Sequence, residues 1–273
     1  MTFFQALIMG IIQGLTEFLP ISSSAHLVIT PFLLGWDIPQ EQVFPFGVLV
    51  QIGTLIAVIV YFFDDLHTIA RGIITSLFSG KGVINDETRL GWLIVLATIP
   101  AGVIGLLLND LIEQAFHSPM ATAVFLYITA LLLLTGEHFG RREHSLNEMT
   151  WIDALWIGVG QALAVFPGIS RSGATISAGL LRNVKRADAG RFSFLIAIPI
   201  MLAAGLKSGF DLLSAPNMEL FLPVLAVGFI SSAVVGYFSI HWLLGFLNRN
   251  SMRGFAIYCI LFASLTLFIT YVV

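Results

Sequence analysis

The chain has 273 residues, of which 57% are hydrophobic and 11% are charged, and its formal net charge is −3. Soluble domains contain about 25% charged residues, so this composition excludes an ordinary soluble enzyme. It predicts an all-α polytopic membrane protein, because a helix satisfies its own backbone hydrogen bonds in lipid.

The predicted elements fall into two similar series along the chain. Each series begins with an apolar run interrupted by Pro, Ser and Gly, residues 3–35 in the first and 151–182 in the second. The run after each interruption has about ten residues, and such a helix reaches about 15 Å, half of the hydrocarbon core. Both regions therefore predict re-entrant helical hairpins. Each is followed by three stretches long enough to cross a bilayer: 43–63, 90–108 and 119–136, then 190–206, 220–247 and 253–273.

The distribution of basic residues supports six spans and a second hairpin, 151–182, that does not cross. It does not test 3–35, because residues 1–63 contain no Lys or Arg. Of the 13 Lys and Arg residues, eleven fall in four segments. With this topology all four segments lie on one side of the membrane, as the positive-inside rule requires. A single crossing by 151–182 would separate the second segment from the third. The segments are Arg71, Lys81 and Arg89; Arg141 and Arg142; Arg182, Lys185, Arg186 and Arg191; and Arg249 and Arg253.

The two interrupted regions also resemble each other in sequence. A shift of 148 residues aligns GIIQGLTEFLPISSSAHLVI, residues 10–29, with GVGQALAVFPGISRSGATIS without a gap, and seven of the twenty positions are identical. The charge-based topology gives the two regions opposite orientations. We interpret 1–136 and 151–273 as inverted repeats within a single membrane domain, 1–273, whose broken helices meet near the midplane.

The two interruptions together predict one polar site. The short helix after each has unpaired first amides, which attract an anion. Arg171 lies in the second interruption, and a guanidinium in hydrocarbon needs a partner or a water-filled cavity; its planar fork suits phosphate oxygens. Glu17 is the only acid well inside an apolar segment. It could pair with Arg171 in a purely structural role, bind a divalent cation or act as an acid or base.

The hydroxyl groups and the histidine at the interruptions each allow two interpretations. Ser23 or Ser22 is a candidate nucleophile if a base lies within hydrogen-bond reach. His26, in the first turn of the short helix, could exchange protons near neutral pH or could only pack. Helix capping or phosphate binding suits Ser22, Ser23, Ser24, Ser170, Ser172 and Thr175.

Two motifs resemble those of a known family. The run QGLTEFLPISSSAH, residues 13–26, is similar to the first signature of the undecaprenyl-diphosphate phosphatase (bacitracin-resistance) family, and PGISRSGAT, residues 167–175, is similar to the second. Supporting matches at 51–53 and 192–199 extend the resemblance over nearly the whole chain.

The resemblance implies an integral-membrane hydrolase that removes the terminal phosphate of a C55 isoprenyl diphosphate. This reaction recycles the lipid carrier of cell-wall synthesis and confers bacitracin resistance. The family implies Mg²⁺ or Ca²⁺ as cofactor, the bacterial inner membrane as location, and a site open to the external face. We expect the polyprenyl diphosphate and membrane lipids as partners, and no nucleic acid; a homodimer is left open.

The family's residue roles transfer to matching positions here. They place the metal or acid-base role on Glu17, the catalytic centre on Ser23 and His26, and diphosphate binding on Ser170, Arg171 and Thr175. We expect Arg171 to be catalytic as well. The first position of the family's E/Q-x-x-x-E pattern is Gln13, so a two-carboxylate metal site is in doubt. The wider set of expected substrate-binding residues is Gln13, Ser22, Ser24, Ser170, Ser172 and Thr175.

The mechanism and one rival function stay open at this level. In-line attack on the terminal phosphorus could come from Ser23, assisted by His26 and Glu17, or from a water that these residues activate. The rival is a transporter, since inverted repeats with broken helices at the midplane also build transporters.

Overall fold

The computed structural model describes residues 1–38, 40–79, 85–116, 118–213 and 218–272. This part of the chain forms twelve α-helices and one short 3₁₀ turn, with no strand beyond an isolated bridge. The predicted all-α class is confirmed. The helices are α1 Phe3–Phe18, α2 Ser23–Leu33, α3 Gln40–Tyr61, α4 Phe63–Ser79, α5 Asp86–Leu107, α6 Asn109–Phe116, α7 Pro119–Phe139, α8 Trp151–Leu163, α9 Arg171–Leu181, α10 Arg186–Leu213, α11 Met218–Leu247 and α12 Arg253–Val272.

Five of the described helices are long and apolar enough to cross a membrane: α5, α7, α10 as far as Leu206, α11 from Phe221, and α12 as far as Tyr271. The sixth predicted span, 43–63, coincides with α3. This helix meets α4 at a bend of 78°, and the two helices together are long and apolar enough to cross a membrane. Neither the bend nor helices α4 and α6 were predicted from the sequence. Lys81, predicted in a basic segment, and Val273, predicted at the end of a span, lie outside the described residues.

Both predicted interruptions are present. Residues 19–22 separate α1 from α2, and residues 164–170 separate α8 from α9. Pro20 has no amide hydrogen to continue α1. Gly168 has φ +100°, and a Cβ there would lie 2.3 Å from the Thr122 carbonyl oxygen, so this position requires glycine. The short helices α2 and α9 have eleven residues each, too few to span the membrane.

The hairpins pack reciprocally between the two halves of the chain. Helix α1 packs against α11, and α8 packs against the corresponding span of the first half, α5. Small residues permit this close approach: a Cβ at Gly10 would lie 2.5 Å from the Gly228 carbonyl oxygen, and one at Gly158 would lie 2.6 Å from that of Ala97. Gly10 and Gly158 are aligned by the 148-residue shift. In an inverted repeat, the contact of α1 with α11 must have a counterpart in the contact of α8 with α5. The repeat itself stays a prediction.

The basic segments contact one another at one end of the helix bundle. Arg89 donates a hydrogen bond of 2.7 Å to the carbonyl of Met149, and Arg191 pairs with Asp65 at 2.6 Å. These contacts join α5 to the loop before α8, and α10 to α4. The arrangement agrees with a single basic face, as the positive-inside topology requires.

A buried carboxylate, Glu137 at the end of α7, joins the other basic segments. It pairs with Arg142 at 2.7 Å and with Arg186 at 2.6 Å, and it accepts a hydrogen bond of 2.9 Å from the Met252 amide. The Glu137 side chain is 1% exposed. One residue thus ties together the loop after α7, the start of α10 and the start of α12.

Glu137→Gln is expected to destabilise the protein by about 2–3 kcal/mol, because two guanidinium groups lose their buried counter-charge. The two arginines keep partial access to water, at 29% and 21% exposure, so the loss stays below that of a fully buried pair. Thermal unfolding in detergent should show a midpoint lower by several degrees. Glu143→Gln, an exposed acid in the adjoining loop, is the matched control, and an equal shift in both variants would contradict the assignment.

Candidate functional site

A cavity of about 300 Å³ lies between the two interruptions. Its volume is at the low end of the range for small-molecule sites, so it can hold a headgroup but not a long chain. The polar side chains lining it come from α1, α3, α8 and the starts of α2 and α9. They are Thr16, Glu17, Ser22, Ser23, Ser24, Gln51, Gln161, Ser170 and Arg171.

The carboxylate of Glu17 is the centre of the polar contacts in this cavity. Its Oε1 accepts a hydrogen bond of 2.9 Å from the Arg171 guanidinium. Its Oε2 accepts from Ser23 Oγ at 2.6 Å and from Gln13 Nε2 at 3.0 Å. The side chains of Glu17 and Arg171 are 8% and 14% exposed, so this ion pair is largely buried. Glu17 thus joins residues from both halves of the chain.

Ser23 and Arg171 occupy equivalent positions in the two halves. Each is the first residue of the short helix after its interruption, and the 148-residue shift aligns them. Both contact Glu17, although 154 positions separate Arg171 from Glu17 in the chain. The interruptions therefore supply different chemistry from matching places: a hydroxyl from the first and a guanidinium from the second.

The backbones of the two interruptions are joined by serine hydroxyls. Ser24 Oγ accepts a hydrogen bond of 3.3 Å from the Gly168 amide, and Ser172 Oγ donates one of 3.1 Å to the Leu19 carbonyl. Ser22 and Ser170 cap α2 and α9, accepting from the amides three residues further along. These contacts fix the two helix starts relative to each other, so the polar site is held by rigid elements.

One nitrogen of Arg171 is available to a ligand. Its NH2 atom binds Glu17 and contacts the Met201 sulfur at 3.6 Å, whereas its NH1 atom is buried without a hydrogen-bond partner. A buried donor without an acceptor is unfavourable. Beside the start of α9, this atom is suited to an anionic oxygen, and a phosphate group provides one.

His26 lies against α12 and not against the cavity. Its Nδ1 is 2.7 Å from the Ser22 carbonyl and therefore donates to it, so the neutral ring accepts at Nε2 from the Tyr258 hydroxyl, also at 2.7 Å. The ring stacks on Phe262 with centroids 4.5 Å apart. Ser22 has φ +67°, which is unusual for a residue with a Cβ, and the His26 hydrogen bond holds its carbonyl in place.

Six of the ten site residues expected from the sequence line the cavity: Glu17, Ser22, Ser23, Ser24, Ser170 and Arg171. Gln13 lies directly behind Glu17, and Ser172 joins the interruptions. Thr175 is fully buried and hydrogen-bonds to Ser193 Oγ at 2.6 Å and to the Arg171 carbonyl at 2.7 Å. It supports α9 from behind and does not reach the cavity.

Sequence reasoning assigned no site role to Gln51, Gln161 or Tyr258. A signal was present for Gln161, since the 148-residue shift aligns it with Gln13. Gln51 belongs to residues 51–53, one of the short segments that resemble the family. Nothing local pointed to Tyr258, which meets His26 across 232 positions of the chain.

The oxygen atoms at the site fit a divalent cation that binds together with a phosphate group. Among the described residues, no group of three or more His, Cys, Asp and Glu side chains is placed to hold a metal ion. The Glu17 carboxylate lines the cavity, and Gln13, whose Oε1 has no partner, lies directly behind it. Mg²⁺ is commonly held by one or two carboxylates together with substrate phosphates and water, and both Mg²⁺ and Ca²⁺ prefer oxygen ligands.

Comparisons with known proteins find relatives along nearly the whole chain. The family model described as bacitracin resistance protein BacA matches residues 6–265. Undecaprenyl-diphosphatase of Chlorobaculum parvum is 44% identical over 271 residues, covering 96% of this chain and 94% of the relative. The proteins of that name from Nitrosococcus oceani and Rubrobacter xylanophilus are 41% and 43% identical, and each alignment covers at least 96% of both chains.

Proposed function

Because the chain belongs to the bacitracin resistance protein BacA family, we propose that it hydrolyses undecaprenyl diphosphate to undecaprenyl phosphate and inorganic phosphate. The observation that carries the proposal is the meeting of Ser23 and Arg171 on one buried carboxylate, Glu17, inside a cavity of headgroup size. The product is the lipid carrier that cell-wall synthesis uses again.

The contacts of Ser23 favour it as the nucleophile. Its Oγ lies 2.6 Å from Glu17 Oε2, within the distance at which a carboxylate can accept the proton. In the first step Oγ forms a bond to the terminal phosphorus, its proton passes to Glu17, and the bridging oxygen leaves with undecaprenyl phosphate. Water then cleaves the phosphoserine and releases inorganic phosphate. The alternative, direct attack by water, would use Glu17 as base and Ser23 only to orient that water.

Arg171 neutralises the phosphoryl oxygens. Its free NH1 donates to the terminal phosphate while NH2 stays on Glu17, so one guanidinium orients both the base and the substrate. A divalent cation, Mg²⁺ or Ca²⁺, supplies further neutralisation of the diphosphate when bound. Glu17, with Gln13 directly behind it, would hold this cation.

We place the cavity nearer the external face of the bacterial inner membrane. Two helices run from the basic end to the cavity. The lining residue Ala101 lies 15 positions beyond Asp86, the first residue of α5, and Met201 lies 15 positions beyond Arg186, the first residue of α10. At about 1.5 Å per residue this is about 22 Å along each helix, more than half of a core about 30 Å thick. The basic end faces the cytoplasm by the positive-inside rule.

The direct test is phosphate release by the purified protein in detergent. With Mg²⁺ present, undecaprenyl diphosphate and shorter prenyl diphosphates should yield inorganic phosphate, and chelation of the metal should stop the release. A transporter, the rival from the sequence analysis, needs two compartments to act and would release none. Absence of phosphate release from every prenyl diphosphate would therefore refute the proposal.

His26 is expected to act by positioning, since its two ring nitrogens bind Ser22 and Tyr258. His26→Asn retains a side-chain N–H near the position of Nδ1 and should keep phosphate release within about tenfold of wild type. His26→Ala loses that donor, frees the Ser22 carbonyl and should lower kcat about 100-fold with little change in KM, a loss of the size assigned to one well-placed catalytic interaction.

Tyr258→Phe provides the companion measurement. It removes only the hydroxyl that holds Nε2, so we expect kcat to fall about threefold to tenfold, in line with one hydrogen bond. If His26 instead exchanged protons with the substrate, Asn and Ala at position 26 would be equally inactive. Equal kcat values for those two variants would rule out the positioning role.

A further inference from the structure

Gln161 lines the cavity and has a buried side-chain oxygen without a hydrogen-bond partner. The residue is 2% exposed and is one of the cavity-lining side chains. Its Nε2 donates to the Ala97 carbonyl at 3.4 Å, which fixes the orientation of the amide, because Oε1 in that place would face another acceptor. The Oε1 atom is buried and has no hydrogen-bond partner.

The aligned residue of the first half, Gln13, is in the same condition. Its Nε2 donates to Glu17 Oε2 and, at 3.5 Å, to Thr54 Oγ1. Thr54 in turn donates its proton to the Gln51 carbonyl at 2.8 Å, so its Oγ1 can accept. This arrangement leaves Gln13 Oε1 buried and unpartnered as well. Each half of the chain thus contributes one orphaned amide oxygen beside the interruptions.

The substrate alone cannot satisfy these oxygens. An ionised diphosphate offers only acceptors, so an amide oxygen that faces it needs a hydrogen-bond donor or a cation between them. Glu17 already accepts three hydrogen bonds, from Gln13, Ser23 and Arg171, and one of these donors carries a full charge. A hard divalent cation, in contrast, takes carboxylate and amide oxygens together with phosphate oxygens.

We propose that the Oε1 atom of Gln161 is a ligand of the divalent cation that enters with the diphosphate. Gln13 Oε1, also buried without a partner, is its counterpart in the first half of the chain. The inference rests on the proposed function for the identity of the phosphorylated group. The ligand role extends to α8, a helix for which neither family signature assigned any metal residue.

The test uses the full chain in detergent with Mn²⁺ and methylenediphosphonate, a diphosphate analogue that cannot be hydrolysed. Free Mn²⁺ is measured by electron paramagnetic resonance. Gln161→Met, similar in size but without the ligand atom, should raise the Mn²⁺ dissociation constant about tenfold and raise the Mg²⁺ concentration for half-maximal phosphate release by a similar factor. Gln161→Glu, with an anionic oxygen in the same place, should bind Mn²⁺ at least as tightly as wild type.

The pair of variants separates a ligand from a structural residue. Both lose the hydrogen bond to Ala97, so a purely structural role would weaken Mn²⁺ binding in both, and that result would overturn the proposal. A second result would also overturn the proposal: Gln161→Met leaves the Mn²⁺ dissociation constant unchanged but raises the KM for the prenyl diphosphate. Oε1 would then accept a hydrogen bond from a protonated phosphate and would not bind the cation. Gln5→Met, at the start of α1 and away from the cavity, is the control and should leave Mn²⁺ binding unchanged.

The outcome is separable from that of the proposed function. If the wild-type protein binds Mn²⁺ with methylenediphosphonate and the variants shift as expected, the cation site holds even where no prenyl diphosphate is hydrolysed. If phosphate is released but Gln161→Met leaves both metal measurements within twofold of wild type, the function holds and the cation ligand does not.

Discussion

Arg171→Ala is expected to reduce the rate of phosphate release at least about 10³-fold. An arginine that stabilises charge on a transferring phosphoryl group contributes about 10³–10⁵ to the rate. Here the substitution also leaves Glu17 as a buried carboxylate without its counter-charge, because their contact of 2.9 Å is the ion pair of the cavity. Arg171→Lys keeps the charge but cannot bind Glu17 and a phosphate oxygen with two separate nitrogens in one plane, so an intermediate loss is expected.

The measurement compares kcat and KM for a prenyl diphosphate, with thermal unfolding followed on the same samples. Arg182→Ala is the matched control: this arginine also pairs with a carboxylate, Asp153 at 2.6 Å, but it is 42% exposed and lies at the basic end. It should retain activity within about threefold, because Arg182 is not one of the cavity-lining residues. If Arg171→Ala folds and keeps activity within about tenfold, Arg171 acts only as a structural partner of Glu17.

Ser23→Ala is expected to lower kcat about 10⁴-fold or more while the protein stays folded, because removal of a nucleophile eliminates the covalent route. Ser23 contacts Glu17 through one hydroxyl, so its loss removes little packing. Quenched reactions of the wild-type protein with a prenyl diphosphate labelled on its terminal phosphate should yield a labelled serine. Glu17→Gln should accumulate less of it per unit time, since the base that takes the Ser23 proton is gone.

The control for Ser23 is a buried serine outside the cavity. Ser239 on α11 donates to the Val235 carbonyl at 2.8 Å, and Ser239→Ala should leave phosphate release unchanged. If Ser23→Ala loses only about 10–100-fold and no phosphoserine is trapped, attack by water is the correct route. Loss of one orienting hydrogen bond accounts for an effect of that size.

The sequence by itself determined the membrane class, the long apolar helices and the two interruptions. These features depend on local patterns: apolar runs of sufficient length form helices in lipid, and residues such as Pro20 and Gly168 interrupt them. The positions of Ser22 and Ser170 as helix caps are also local, since each bonds an amide three residues away. The bend between α3 and α4 escaped prediction because it has no such signal.

Only the tertiary structure decided which polar groups meet. Ser23 and Arg171 share Glu17 because two short helices approach from opposite halves of the chain. His26, three residues after Ser23 on the same helix, faces Tyr258 on α12 instead of the cavity. Thr175 lies one turn beyond Arg171 and is covered by Ser193 of α10. Sequence spacing places residues on a face of a helix, but which neighbour covers that face at a given depth depends on packing between distant segments.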